Sequence, residues 1–297
     1  MSAATRTDIQ QSGTHVTARL RDQLGRFGIW RGAYQVTAKM AAEIEQAGFG
    51  ALWLGSSPGG DLSLVDELLG ATSTLTVGTS IVNIWKDGPH EVARAFARVQ
   101  DRCPGRFVLG VGTGHPEATR QYERPYDALV SYVEALRGDG VPPDSLTLAA
   151  LGPRVLRLSG ERTAGALPYL VPPEHTRQAR EILGPGPLLA PEHKAVLDTD
   201  AGRARALGRS RVATPYLGLV NYTSNLRRLG WTDEDLADGG SDALVDALVA
   251  RGSADQVAAQ LSAHLDAGAD HVAIQLLTEP DADPVPGYRD LARALMP

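Results

Sequence analysis

This 297-residue chain has one cysteine, four phenylalanines and only three lysines, Lys39, Lys86 and Lys194, and each scarcity excludes something. A lone Cys103 cannot close an internal disulfide, which fits a reducing, cytoplasmic setting. No run reaches the roughly 18–20 apolar residues that span a bilayer. The opening MSAATRTDIQQSGTHVTARL lacks the apolar centre of a secretion signal, so no membrane partner is expected. With a net charge of −6 and no basic stretch, nucleic acid is not an expected partner either. The seven histidines show no metal-ligand spacing and accompany no cysteine cluster, so no metal centre is expected.

What is present is the composition of an ordinary folded protein, 43% hydrophobic and 22% charged. The length suits two average domains or one large barrel. Short apolar runs alternate with amphipathic segments. Strands are expected at RFGIW (26–30), ALWLG (51–55), LTVGTSIVNI (75–84), RFVLGV (106–111), LTLAAL (146–151), ALPYLV (166–171), weakly at 194–197, and at HVAIQLL (271–277). Helices are expected at 34–47, 62–71, 89–101, 125–136, 173–183 and 253–267. Pro89 opens one of them at the first-turn position, where a missing N–H costs nothing. Val92, Ala95, Phe96 and Val99 then recur on one helical face. Continuous apolar strands joined by helices require a parallel sheet covered on its faces. Eight of them predict a (β/α)₈ TIM barrel, with a doubly wound open sheet as the rival. Residues 1–24 read as a flexible tail and 25–297 as a single barrel domain. Between 200 and 250 the rhythm breaks, with extra helical patterns at 213–229 and 242–251 around the acidic loop WTDEDLADGG. Such an insertion either covers a site or decorates the surface.

The strand RFVLGV dissolves into Gly110, Gly112 and Gly114 just before His115. Glycines at such an exit let a ligand lie against the main chain, which places the active site there. The segment G-V-G-T-G lacks the spacing of a dinucleotide fingerprint. Gly55-Ser56-Ser57-Pro58-Gly59 matches the nucleophile elbow of serine hydrolases in letters only. The residue after the nucleophile must donate an N–H to the oxyanion, and Pro58 has none. Trp30 and Trp53 read as core filling, whereas Trp85 reads as the ligand-facing tryptophan.

The run LTVGTSIVNIWKDGP, its following helix and PGRFVLGVGTGHPE resemble the luciferase-like monooxygenase superfamily, in particular the branch using the deazaflavin coenzyme F420. GFGALWLG, LTLAALGPRVLRLSGERTAGALPYL and GSADQVAAQLSAHLDAGADHVAIQLL extend the likeness over nearly all of the chain after the tail. The resemblance implies a barrel of the bacterial-luciferase kind with the cofactor ring across the C-terminal strand ends. It also implies a non-prolyl cis peptide at Ser80-Ile81 behind the ring, with Asn83 a further contact. Gly112, Thr113 and Gly114 would approach the ring through their backbone. Ala150, Gly152, Pro153, Gly165 and Ala166 correspond to positions around the cofactor tail and phosphate.

Sugar-phosphate dehydrogenases of that branch carry an acid and a histidine where this chain has Ser56 and Ser57, and a glutamate where it has His115. His115 is therefore the expected proton donor, with Ser56 a weaker polar contact. The expected function is hydride transfer between coenzyme F420 and a small organic substrate, in a homodimer. A flavin mononucleotide (FMN)-dependent monooxygenase and a non-catalytic cofactor-binding protein are the alternatives.

Overall fold

A computed structural model describes residues 19–114 and 124–296. The first stave of its sheet is β1 (Phe27–Gly32), followed by helix α1 (Ala38–Gln46), β2 (Ala51–Gly55) and α2 (Ser63–Gly70). The third stave is split into β3 (Thr76–Thr79) and β4 (Val82–Asn83). Next come α3 (Pro89–Arg102), β5 (Phe107–Gly112), α4 (Pro125–Gly138), β6 (Leu146–Ala149), α5 (Pro153–Arg162), β7 (Gly165–Leu167) and α6 (Pro173–Leu183). The seventh stave is again split, into β8 (Leu188–Leu189) and β9 (Glu192–Val196). An insertion then supplies α7 (Ala201–Ala213), α8 (Val220–Arg228), α9 (Asp233–Leu236), α10 (Asp242–Leu248) and the short strand β10 (Val249–Arg251). Helix α11 (Ala254–Asp266), β11 (Val272–Leu276) and α12 (Val285–Leu295) complete the sequence.

All pairings are parallel, and the hydrogen-bonded path runs β10-β9-β11-β1-β2-β3-β5-β6-β7-β8. Only Ala190 and Pro191 separate β8 from β9. Across this joint Ala190 N donates to Ala166 O at 3.0 Å, Glu192 N to Pro168 O at 2.8 Å, and Ala273 N to Pro191 O at 2.9 Å. The curled sheet therefore returns on itself as eight staves, with β10 attached outside β9. This is the (β/α)₈ barrel that the apolar periodicity predicts.

Alternation along the staves sorts the core. Outward residues such as Ile29, Leu52, Leu54, Val77, Leu109, Leu148 and Ile274 pack under the helices. Inward residues include Trp30, Ala51, Trp53, Val108, Leu188 and Ala273. Bulk on one stave faces glycine on the next. A Cβ on Gly55 would fall 1.8 Å from the Trp30 ring, and one on Gly78 would fall 2.4 Å from the Trp53 ring. Glycine at both positions is thus what lets two indoles fill one barrel. Trp53 Nε1 donates to His271 Nε2 at 2.9 Å, leaving His271 Nδ1 to donate to Gly25 O at 2.7 Å.

Two boundaries differ from expectation. Residues 19–24, read as tail, form a helical turn whose Leu20 and Leu24 plug the N-terminal floor of the barrel. The 213–229 helix is broken: α7 ends at Ala213, and a 3-10 turn (Tyr216–Gly218) follows Pro215 before α8. The insertion forms its own cluster around Leu219, Tyr222, Leu226, Leu244 and Leu248, sealed onto Leu170 and Val196 of the barrel. No helix among the described residues is long and apolar enough to cross a membrane.

Candidate active site

At the C-terminal end of the staves, the third strand stops at Thr79, and the next peptide, Ser80-Ile81, is non-prolyl cis, as the resemblance implies. Thr79 Oγ1 staples the next stave by donating to Gly110 O at 2.8 Å and accepting from Gly110 N at 2.9 Å. Ser80, Ile81, Thr113 and Gly114 are half-exposed and form a ledge. Gly114 has φ +60°, and a Cβ there would lie 2.6 Å from Asn83 Nδ2. Asn83 is buried, and its Oδ1 accepts from Trp85 N at 3.0 Å, so it shapes the turn beneath the ledge.

Some expected contacts are not available to a ligand. Gly112 is buried, and the space a Cβ would take is filled by Ala149 at 2.9 Å and Ile81 at 3.2 Å. Gly165 lies in the wall, its missing Cβ 1.9 Å from Leu188 O. Ala150 and Ala166 sit behind the sheet with Leu156, Ala179, Leu183 and Leu189. These positions face the helices or the neighbouring strand. Gly152 and Pro153, by contrast, open helix α5 without a side-chain cap. The space beside Gly152 meets only Arg228 Nη2, at 3.9 Å. An uncapped N-terminus with a guanidinium opposite suits a phosphate.

Beside the ledge lies a cavity of 250 Å³ lined by Trp30, Gly32, Tyr34, Ser56, Tyr169, Lys194, Arg211, Tyr216 and Gln275, among others. Trp30 joins the two regions, because its Nε1 donates to Ser80 Oγ at 3.2 Å and its ring lies 5.4 Å from that of Tyr169. Lys194 is buried, its Nζ 3.1 Å from Glu192 Oε1 and 4.1 Å from the Tyr169 ring centroid. Glu192 Oε2 accepts from the N–H of Leu170, whose φ is +56°. The ion pair therefore clamps the turn that presents Tyr169. Burial pulls the lysine down and pushes the carboxyl up, while each partner opposes the other's shift.

Ser56 is exposed on the cavity rim in a left-handed conformation, φ +62°. His115 lies outside the described residues. Trp85 packs part-buried against the core, and Trp30 is core filling as read, its buried ring reaching the cavity only as part of the wall. Trp30, Tyr169, Lys194, Tyr216 and Gln275 were not picked out as site residues. The Glu-His-Lys run inside an apolar stave was the one signal available, since charge inside a barrel is costly without a purpose.

In fold the chain is a barrel of the luciferase-like kind. Residues 9–140 match the family model described as luciferase-like monooxygenase. Among solved structures, an F420-dependent secondary alcohol dehydrogenase in complex with an F420-acetone adduct superposes with a TM-score of 0.72 at 15% identity, covering 92% of this chain and 99% of the other. The coenzyme F420 dependent tetrahydromethanopterin reductase of Methanopyrus kandleri gives 0.66 at 17% identity, covering 91% and 98%. The FMN-bound oxygenating constituent of 3,6-diketocamphane monooxygenase from Pseudomonas putida gives 0.64 at 16% identity, covering 90% and 96%. No curated protein matches the chain in sequence.

Proposed function

We propose that this chain is an oxidoreductase that binds coenzyme F420 and transfers hydride between that carrier and a small organic molecule. One observation carries the reading: a backbone ledge at the barrel mouth adjoins both an open helix N-terminus and a polar-aromatic cavity. Ser80, Ile81, Thr113 and Gly114 would hold the flat ring, and Gly152 with Pro153 and Arg228 would receive its phosphate. When bound, the deazaflavin supplies or accepts a hydride. The protein orients the ring, excludes water through Trp30 and Tyr169, and provides the proton. The sequence resemblance supports the deazaflavin, while the fold is shared by F420-dependent and FMN-bound enzymes alike.

Titrating the purified protein with coenzyme F420 and with FMN, followed by fluorescence, tests this. Saturable deazaflavin binding, weakened at least tenfold by Arg228→Ala, is the expected outcome. Tight FMN binding without a response to the deazaflavin would move the assignment to a flavin monooxygenase. A bound carrier with no turnover over a broad substrate panel would indicate a binding protein.

A further inference from the structure

We propose that Tyr216 is the proton donor of this reaction, and that the cavity beside it takes a small molecule reduced at a carbonyl group. The inference rests on the hydride chemistry proposed above. Tyr216 Oη lies 2.9 Å from Tyr169 Oη, which in turn lies 3.0 Å from Gln275 Oε1, and all three residues line the cavity. Tyr169 therefore carries one proton with two acceptors in reach. It donates to Gln275 in the resting arrangement and can swing to Tyr216 when negative charge appears there. Lys194 Nζ stands 5.3 Å from the Tyr216 ring centroid but is paired with Glu192, whose charge adds to burial in opposing a phenolate, so the hydrogen bond from Tyr169 is what would hold it.

The walls indicate the ligand. Gln275, Ser56, Thr278 and Arg211 offer donors, and Glu279 is the one carboxylate among the described lining residues. Such a site asks its ligand to accept hydrogen bonds, while Trp30 and Tyr34 offer flat faces to an apolar body. A ketone, aldehyde or conjugated enone meets both demands. The step balances with the reduced carrier as hydride donor. Hydride forms the new C–H bond at the carbonyl carbon, and the π electrons pass to oxygen. The Tyr216 O–H bond breaks, and its proton goes to that oxygen. The phenolate, held by Tyr169, regains a proton from water. Burial pushes the Tyr216 hydroxyl up to about 12, so it keeps its proton at neutral pH and serves as donor rather than base.

The test uses full-length protein loaded with whichever carrier binds, and 2-cyclohexen-1-one and cyclohexanone as probes. Tyr216→Phe should leave the carrier Kd within twofold of the parent and lower kcat at least 100-fold, with KM changed less than threefold. Tyr169→Phe, which removes the phenolate's hydrogen bond, should lower kcat by about tenfold at unchanged KM. Saturation-transfer NMR of either probe, run without turnover, should show binding that is retained in Tyr216→Phe, which separates a lost proton donor from a lost site. A Tyr216→Phe enzyme within threefold of the parent kcat would overturn the assignment. So would a carrier-loaded parent that neither binds nor reduces either probe. A parent that binds no carrier would remove the functional reading and this inference together.

Discussion

Two buried histidines show how single residues in this barrel trade charge for packing. Burial lowers His271, inside the floor against Trp53, to about 4, and lowers His193, behind the seventh stave, to about 4 as well. His193 Nδ1 also meets His264 Nε2 at 2.9 Å, and His264 is itself held neutral by burial. Both folded values lie below the unfolded value near 6.5. As pH falls, the unfolded chain therefore binds protons first. The stability these groups hold is complete above pH 6.5 and is lost progressively down to about 4. Urea unfolding at pH 7 and pH 4.5 should differ by about 2 kcal/mol for each of His193 and His271. A flat profile across that window would contradict the neutral tautomers drawn here. At this scale the sequence was a partial guide. Gly114 and Ser56 stand at the mouth and Trp30 and Trp53 fill the core as read, whereas Trp85 packs against the main core through tertiary contacts that no local pattern records.

The elements that were legible are those whose signals are local. Pro173 and Gly184 bracket α6 where the sequence puts its ends, and Ser253 with Gln256 forms a capping box that opens α11 at the expected position. Strand β10 was not legible. Its Val-Ala-Arg continues the apolar rhythm of α10 and becomes extended only because Lys194–Val196 offers an edge to pair with. The insertion is tied to that edge by charge. Asp246 of α10 accepts from Arg205 of α7 at 2.6 and 2.9 Å and from Arg251 of β10 at 2.8 and 3.0 Å, and these guanidiniums hold its carboxyl well below the usual range. The site is about 30% exposed, so much of that interaction is screened. Asp246→Asn should cost about 1 kcal/mol in urea unfolding at low salt. The deficit should shrink in 1 M NaCl; a salt-independent deficit would point to lost packing instead.

For the molecule as a whole, a ligand that binds only the closed barrel stabilises it by mass action. A carrier at 100 times its Kd should add about 2.7 kcal/mol to unfolding. Thermal melting with and without coenzyme F420 checks this, and an unmoved midpoint at saturation would mean that the unfolded chain binds equally. By itself the sequence determined the eight staves, their covering helices and the glycine-rich mouth, since these follow from apolar periodicity and from residues that tolerate only certain backbone angles. Only the tertiary structure decided what stands at that mouth. Lys194 and Gln275 come from two staves, Tyr169 from the turn after a third and Tyr216 from an inserted turn, and no local pattern records that their side chains converge. Closure of the sheet through Ala190 and Pro191 brings them together, because a ring joins residues that the chain keeps far apart.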